Sequence, residues 1–98
     1  MKRARFEWDD DKDKQNQLKH CLPFEIAQYA FADPHRVIYE DLDHSTPNET
    51  RYDCLGKGGN RVCTVRFTYR LDIIRIFRAG FWRKERTIYE QRNRPNHR

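Results

Sequence analysis

The sequence lacks a long apolar run, and this excludes a membrane-spanning helix. Such a helix needs about 20 consecutive apolar residues, whereas hydrophobic residues make up only 37% of the 98. The mean hydropathy is −1.12. The basic residues from Met1 to Arg5 lead into no apolar segment, so we expect no secretory signal and no membrane partner. A cytoplasmic location is the resulting expectation.

Cysteines are few and do not form a disulfide or zinc framework. The three of them, Cys21, Cys54 and Cys63, contain no CxxC pair, and an odd number in a chain without a signal indicates reduced thiols. The spacing of structural zinc ligands is missing as well. Lys57 stands among glycines, but the GxxxxGKS/T spacing of a nucleotide-binding loop is absent. We therefore expect no metal site and no cofactor.

Acidic residues are sparse in the second half of the chain. Residues 1–50 hold 7 Lys and Arg against 11 Asp and Glu, a net charge of −4, whereas residues 51–98 hold 13 against 4, a net charge of +9. Guanidinium groups bind phosphate through two parallel hydrogen bonds. The basic half therefore predicts a polyanionic partner, with an acidic protein as the alternative. Eleven arginines carry most of this charge: Arg51, Arg61, Arg66, Arg70, Arg75, Arg78, Arg83, Arg86, Arg92, Arg94 and Arg98.

Capping residues and hydrophobic periodicity predict a small α+β domain. Asp9, Asp10 and Asp11 favour a helix start. Pro23 suits the first turn of a second helix, and residues Arg61–Arg70 alternate as a strand does. Consecutive short connections favour an antiparallel sheet with the helices packed on one face. The predicted order is β-α-α-β-β-β-β-α, at Phe6–Trp8, Asp10–His20, Pro23–Asp33, Val37–Tyr39, Arg51–Leu55, Arg61–Arg70, Ile73–Ala79 and Trp82–Gln91.

The whole chain, residues 1–98, is predicted to form one domain, because this length suffices for one core and not for two. Order is expected over about residues 5–92, followed by a basic tail at 93–98. The first helix is so polar that Leu18 is its main apolar anchor. We expect that helix to lie on the surface.

The first predicted hairpin joins the Arg51 strand to the strand that follows it. Its loop is expected at Gly56–Asn60, where glycines cluster. Pairing Cys54 with Cys63 across this loop would set Arg51 opposite Arg66.

The second predicted hairpin turns tightly at Leu71-Asp72. It would set Arg66 opposite Phe77 and Thr68 opposite Arg75. Like charges on one face repel unless an anion lies between them, and a slip of one residue in either hairpin would disperse them. The residues predicted to share this face are Arg51, Arg66, Thr68 and Arg75.

Several short motifs are spread along the chain, and their order and spacing are specific when taken together. They are Phe6-Glu7-Trp8-Asp9, Lys12, Asn16, Lys19-His20, Phe24-Glu25, Phe31-Ala32-Asp33-Pro34, Asp43-His44-Ser45, Glu49, Arg51, Gly56, Arg61, Thr68, Arg75-Ile76, Ala79, Glu85-Arg86 and Tyr89-Glu90. From Phe6 to about Glu90 the chain resembles the BrnT toxin family. Two departures lie inside the similarity: Cys21 stands where the family usually has glycine, and Arg78-Ala79-Gly80 replaces a common Ser-Ala-Arg.

The resemblance implies a compact RelE-like fold and a bacterial type II toxin, an endoribonuclease that arrests growth. It also implies a cognate ribbon-helix-helix antitoxin, a DNA-binding protein that neutralises the toxin in a hetero-oligomer. The cleavage needs no metal, because the 2′-hydroxyl of RNA attacks the adjacent phosphorus and leaves 2′,3′-cyclic phosphate and 5′-hydroxyl ends. A non-catalytic RNA-binding module and an antitoxin-binding regulatory module are the alternatives.

The catalytic candidates are side chains that transfer protons or stabilise phosphate charge. His44 or Glu49, on the loop before the Arg51 strand, is the expected proton-transfer group. Arg51 and Arg75 are expected to stabilise the charge of the transition state. The alternative for Glu49 is a salt bridge to Arg51.

Other candidates also have structural alternatives. His44 would otherwise be a loop residue hydrogen-bonded to Asp41 or Asp43. His20 would otherwise sit at the negative end of the first helix dipole, and Lys12 would be solvated. The candidates for RNA binding are Lys12, His20, Arg66, Arg78, Arg83 and Lys84.

Overall fold

The structure, a computed structural model, describes residues 5–95 and contains five strands and three α-helices. A short 3₁₀ helix, Gln28–Ala32, follows the second α-helix directly. None of the helices in this part of the chain is long and apolar enough to cross a membrane. In chain order the elements are β1 (Arg5–Trp8), α1 (Asp10–His20), α2 (Phe24–Ala27), β2 (Val37–Glu40), β3 (Tyr52–Gly58), β4 (Arg61–Arg70), β5 (Ile73–Gly80) and α3 (Arg83–Arg92).

The five strands form one mixed sheet in the order β1-β5-β4-β3-β2. The predicted α+β class is confirmed. The expectation of a wholly antiparallel sheet is wrong, because β1 pairs in parallel with β5, from Arg5 beside Ile73 to Trp8 beside Ile76. A tight turn fixes the relative direction of two strands, but β1 meets a partner far along the chain and no turn constrains it.

Apolar side chains cover both faces of the sheet, and helices therefore lie on both. The second helix α2 and the 3₁₀ helix pack on the face that carries Cys54, Val65 and Phe67. Helix α3 packs on the opposite face, where Tyr89 and Leu55 belong to one buried cluster. Successive residues of a strand point to opposite faces, so Cys54 and Leu55 are both fully buried but under different helices. The expectation that the helices share one face is wrong.

A single carboxylate fastens α3 to the sheet. Asp33 accepts hydrogen bonds from the Tyr89 hydroxyl at 2.7 Å, from the Lys57 N–H at 2.9 Å and from the His35 N–H at 2.8 Å. Burial raises the pKa of Asp33, but these bonds outweigh it and the pKa lies below its ordinary value. Burial and the bond to Asp33 raise the pKa of Tyr89 to about 12. Donor and acceptor therefore keep the protonation states that the bond needs.

The glycines between β3 and β4 serve packing as well as turning. The predicted loop at Gly56–Asn60 is wrong, because β3 continues to Gly58 and only Gly59 and Asn60 form the turn. A Cβ atom at Gly56 would lie 2.5 Å from the backbone oxygen of Ala30. Only glycine lets the 3₁₀ helix rest directly on the strand at this point.

The longer strands shift the register of this hairpin by two residues. Cys63 pairs with Gly56 rather than with Cys54, and Cys54 pairs with Val65. Because side chains alternate with a period of two, a shift of two residues leaves the side chains of β3 and β4 on their predicted faces of the sheet. The predicted cysteine pairing is therefore wrong, although the predicted faces are right.

One extra residue in β5 changes the pairing at the middle of the sheet. The two-residue turn between β4 and β5 is confirmed, and the predicted register holds up to Phe67 and Ile76. Arg66 then pairs with Arg78 rather than with Phe77, so Phe77 forms a β-bulge. The expected pairing of Arg66 with Phe77 is wrong for this reason. Both Phe77 and Arg78 now lie beside Arg66.

One buried amide fixes α1 to the edge of β5. Strand β1 ends before it reaches the last residues of β5, and Asn16 continues the pairing there. Its Nδ2 donates to the Ala79 oxygen at 2.8 Å, and its Oδ1 accepts from the Ala79 N–H at 3.1 Å. Nδ2 also donates to the Leu22 oxygen at 2.9 Å. Leu18 is 86% exposed, so the expectation that it anchors the helix is wrong.

The end of α3 is tied to the loop before β2. Asn93 caps the helix, and its Nδ2 donates to the backbone oxygens of His35 at 3.0 Å and Tyr89 at 2.9 Å. The predicted basic tail at 93–98 begins at this cap, and its residues 96–98 lie outside the described residues.

We predict that Asn16→Ala lowers the free energy of unfolding by roughly 2–4 kcal/mol, because three buried backbone groups lose their partner. Urea unfolding followed by circular dichroism measures the effect. Gln17→Ala, an exposed neighbour on the same helix, is the matched control and should change the unfolding free energy by less than about 0.5 kcal/mol. Equal effects of the two changes would contradict this role of Asn16.

Candidate active site

A cleft of about 300 Å³ lies between α1, the loop before β3 and the face of the sheet that carries Arg66. We call it the basic cleft. Five of the ten residues that line it are Lys or Arg, two are His and none is acidic. Such a surface attracts an anion that carries several charges. The lining residues are Lys12, Gln15, Asn16, Lys19, His20, His44, Arg51, Arg66, Phe77 and Arg78.

One face of α1 forms a wall of the basic cleft. The helix begins as predicted, with Asp9 Oδ1 accepting a hydrogen bond from the Lys12 N–H at 3.0 Å. The Lys12 ammonium group lies 5.4 Å from the centre of the Phe77 ring. Residues spaced by three and four share one face of a helix. The members of this face are Lys12, Gln15, Asn16, Lys19 and His20.

Hydrogen bonds close the loop from Asp41 to Arg51. The Asp41 N–H donates to the Arg51 oxygen at 2.7 Å, which extends the pairing of β2 with β3 by one step. Ser45 Oγ donates to the Asp41 oxygen at 2.7 Å and accepts from the Arg51 N–H at 2.8 Å. Because Ser45 joins both ends of the loop, His44 and Arg51 have defined positions at the basic cleft.

The carboxylate of Asp41 orients two groups of the basic cleft. Its Oδ2 lies 2.9 Å from His44 Nδ1 and 2.7 Å from Arg66 Nε. Burial raises the pKa of Asp41, but the hydrogen bond from His44 and the charge of Arg66 outweigh it, so the pKa lies below its ordinary value. An ionised carboxylate only accepts hydrogen bonds. His44 Nδ1 therefore donates the hydrogen bond to Asp41, and the other ring nitrogen, Nε2, is available to a ligand.

Arg66 lies between two carboxylates at the floor of the basic cleft. Its Nε is also 3.4 Å from Asp53 Oδ1. Asp53, and not Arg51, lies opposite Arg66 in the sheet, so the expected pairing of the two arginines is wrong. Burial raises the pKa of Asp53, and the nearby charge of Arg66 does not cancel this effect. The pKa values of the two carboxyl groups therefore shift in opposite directions. Only at Asp41 do the hydrogen-bonding and charged partners outweigh the effect of burial.

Glu49 and Phe77 hold the guanidinium group of Arg51. Its Nε lies 3.0 Å from Glu49 Oε1, and its Cζ lies 4.0 Å from the centre of the Phe77 ring. Arg70 Nη2 lies 3.5 Å from Glu49 Oε2. The hydrogen bond from Arg51, with the charge of Arg70, lowers the pKa of Glu49. The salt bridge between Glu49 and Arg51, which the sequence analysis gave as the alternative to a catalytic role for Glu49, is thus present.

His20 is the second imidazole of the basic cleft. Its Nε2 lies 3.5 Å from Arg78 Nη2, and its ring meets Trp82 edge-on with 5.1 Å between the ring centres. Burial, followed by the charges of Arg78 and Lys19, lowers the pKa of His20, so the ring is neutral at pH 7. The helix is capped by Cys21 in the left-handed conformation, with φ of 55°.

Six of the ten residues predicted for the site line the basic cleft, and four do not. Arg75 Nη1 pairs with Glu7 Oε2 at 2.7 Å, and Glu49 reaches the cleft only through its ion pair. Arg83 and Lys84 begin α3 and line other depressions. Their predicted roles stay predictions. The six are Lys12, His20, His44, Arg51, Arg66 and Arg78.

The sequence analysis missed several members of the basic cleft. Gln15 and Lys19 are spaced by three and seven residues from Lys12, so helical periodicity alone would have found them. Asp41, which orients His44 and Arg66 without lining the cleft, appeared only as a possible partner of His44. Phe77 reaches the cleft because of the β-bulge, for which the sequence holds no signal.

In the part of the chain that the structure describes, neither a metal-ligand cluster nor the two buried cysteines, Cys54 and Cys63, provide a second reactive site. Within residues 5–95, no group of three or more His, Cys, Asp or Glu side chains is placed to hold a metal ion. Burial raises the pKa of Cys54 to about 12 and that of Cys63 to about 11. Thiols with such values are poor nucleophiles.

Comparison with known protein families finds a match. A family model described as a ribonuclease toxin, BrnT, of type II toxin-antitoxin system matches residues 8–85. The matched range includes every residue that lines the basic cleft. No curated protein in the comparison matches the chain.

We predict that Asp41→Asn lowers the free energy of unfolding at pH 7 by roughly 1–3 kcal/mol. The folded pKa of Asp41 lies below its unfolded value, so its stabilisation is complete above about pH 4 and is lost as the pH falls further. Chemical unfolding at several pH values should show the difference from the unmodified protein shrinking in acid. Asp53→Asn is the matched control, and its loss should be smaller because burial raises the pKa of that carboxyl. Equal losses would contradict the assignment.

Proposed function

The chain belongs to the family of BrnT ribonuclease toxins of type II toxin–antitoxin systems, and on that premise we propose that it is a metal-independent endoribonuclease whose active site is the basic cleft. One observation carries the proposal: a single cavity joins two imidazoles, His20 and His44, to five cationic side chains. Cleavage of RNA requires two proton transfers and a cationic environment for the phosphate. The basic cleft provides both.

RNA contains its own nucleophile, so the protein supplies proton transfer and charge stabilisation. In the proposed reaction His20 takes the proton of the 2′-hydroxyl while that oxygen bonds to phosphorus. The bond from phosphorus to the 5′ oxygen breaks as that oxygen takes a proton from His44, which leaves 2′,3′-cyclic phosphate and 5′-hydroxyl ends. The lowered pKa of His20 suits the base, and the hydrogen bond between Nδ1 and Asp41 holds the ring of the acid in place.

Guanidinium and ammonium groups stabilise the phosphate in this proposal. Arg51 is held in place by its ion pair and ring contact. Arg78 and Lys12 form no salt bridge within residues 5–95, so their charge is available to a ligand. Glu49 is a weak candidate for the base, because two guanidinium groups occupy it. Arg75 stays a predicted phosphate contact.

The family also indicates the setting in which the protein acts. Membership of a type II toxin–antitoxin family implies a protein antitoxin as partner. We further propose a ribbon-helix-helix, DNA-binding antitoxin that neutralises the toxin in a hetero-oligomer, and a site of action in the bacterial cytoplasm. An acidic segment of that partner would complement the charge of the basic cleft. The mixed sheet with helices on both faces is proposed to be a RelE-like fold.

A non-catalytic module that binds RNA or the antitoxin through the same charge is the second candidate. The observation that favours it is the exposure of His44, whose side chain is 47% exposed. Proton transfer is more efficient in a site closed to water. Cleavage assays separate this candidate from the first.

We predict that the purified chain, freed of antitoxin, cleaves RNA in the presence of EDTA and leaves 2′,3′-cyclic phosphate ends. His44→Ala should slow cleavage by roughly 10²–10⁴-fold, the usual contribution of a positioned acid or base. Gel analysis of a labelled RNA, with end-group chemistry, measures both. Arg51→Ala and Arg75→Ala in the same assay test the two proposed phosphate contacts.

Arg94→Ala, an exposed change remote from the basic cleft, is the control and should cleave normally. Intact RNA in the presence of excess folded protein would reject the enzyme. If that protein still bound RNA with a strong salt dependence, the non-catalytic module would take its place.

We predict that the acid limb of the pH profile of kcat/KM has its midpoint below about 6.5, the ordinary value for histidine. The pKa of His20 is lowered, so its neutral, proton-accepting form persists to lower pH. Initial rates from pH 4.5 to 8 with the unmodified protein and His20→Gln test this. The variant should lose the limb along with most of its rate. A limb that survives in His20→Gln would assign it to another group.

A further inference from the structure

A second depression, of about 440 Å³, lies between the start of β4 and the first turns of α3. We call it the α3 groove. Its cationic walls are Arg61, Arg83 and Arg86, all of them exposed, and Glu90 is the one carboxylate that lines it. Val62, Phe81 and Trp82 form the apolar part of the lining.

The arginines within residues 5–95 include some that form salt bridges and some that do not, and those of the α3 groove belong to the second group. Arg66, Arg70 and Arg75 each form a salt bridge within residues 5–95, and so does Arg51. Arg61, Arg83 and Arg86 form none within the same range. A cluster of unpaired guanidinium groups is ready to bind an external anion.

Helix stability does not explain this cluster. Arg83 and Arg86 belong to the first turns of α3, where a positive charge opposes the helix dipole. Arg61 lies across the groove with its Cζ 3.8 Å from the centre of the Phe81 ring. That contact holds the guanidinium group through its face and leaves its edge N–H groups available to an acceptor.

The α3 groove is continuous with the basic cleft through Trp82. The indole ring contacts His20 and lies beneath Arg78, whose Cζ is 5.3 Å from the ring centre. A smaller depression of about 230 Å³ includes Trp82 together with His44 and Arg78, and Trp82 is also part of the α3 groove. Phosphates of a single polynucleotide strand can therefore contact both the basic cleft and the α3 groove along one surface.

We propose that the α3 groove binds backbone phosphates of the RNA strand that flank the phosphate in the basic cleft. This inference rests on the proposed function and adds a requirement for an extended, single-stranded substrate. Binding is through phosphate charge, so the groove contributes affinity with little dependence on base sequence. A short oligonucleotide fills the basic cleft alone, and a longer one fills both.

The test compares Arg83→Ala/Arg86→Ala with the unmodified chain. Fluorescence anisotropy measures binding of labelled 2′-O-methyl oligonucleotides, which lack the attacking hydroxyl, at about 4 and about 12 nucleotides. For the long oligonucleotide, the slope of log affinity against log salt should fall by roughly 1.4, the effect of losing two phosphate contacts to a single strand. For the short oligonucleotide the slope should not change.

Two further double variants show whether the change in slope depends on where the charge lies or on the loss of positive charge alone. Arg92→Ala/Arg94→Ala removes the same charge from the other end of α3 and should leave both slopes unchanged. Arg83→Lys/Arg86→Lys keeps the charge and should retain most of the slope. Thermal unfolding of each variant checks that the fold is intact.

Cleavage of unmodified RNA by the unmodified chain is measured in parallel. Normal cleavage together with an unchanged slope in Arg83→Ala/Arg86→Ala would overturn the α3 groove as an RNA site, leave the proposed function standing and favour an acidic protein as the occupant. A chain that neither binds nor cleaves RNA would overturn both proposals.

Discussion

The amide of Asn16, hydrogen-bonded to both backbone groups of Ala79, is the contact on which the arrangement of the site depends. Helix α1 exposes Leu18 and buries little apolar surface, so directional bonds determine where it lies. They place its cationic face opposite Arg51 and Arg78. Without them the cationic face of α1 and the arginine-rich sheet would not form two walls of one cleft.

Some arginines of the site form salt bridges with carboxylates, and others do not. Arg51 and Arg66 bind carboxylates that orient them, and Asp41 orients His44 through the same oxygen that binds Arg66. Arg78 lacks such a partner within residues 5–95 and contacts His20 and Trp82 instead. Salt bridges hold the paired groups in fixed orientations at the site, and the unpaired groups add positive charge that no carboxylate within residues 5–95 offsets.

Gly80 and Arg78 both occupy positions that the packing of Trp82 explains. A Cβ atom at Gly80 would lie 2.5 Å from the Trp82 ring, so glycine makes room for the indole. The β-bulge at Phe77 sets the following residue, Arg78, beside Arg66 in the basic cleft. The Arg78 guanidinium group lies over the Trp82 ring, with its Cζ 5.3 Å from the ring centre.

Local features were predictable from the sequence. Helix α1 has its predicted bounds, Asp10–His20, and β4 has the predicted Arg61–Arg70, because caps and side-chain alternation act over a few residues. The charge of the second half was equally plain. The parallel β1, the bulge at Phe77 and the position of α3 needed the tertiary structure, since each depends on contacts between distant segments. Composition alone predicted a polyanionic or acidic partner. Only the packing of α1 on β5 decided which cations meet beside His20 and His44, because periodicity assigns a side chain to a face but not to its neighbours.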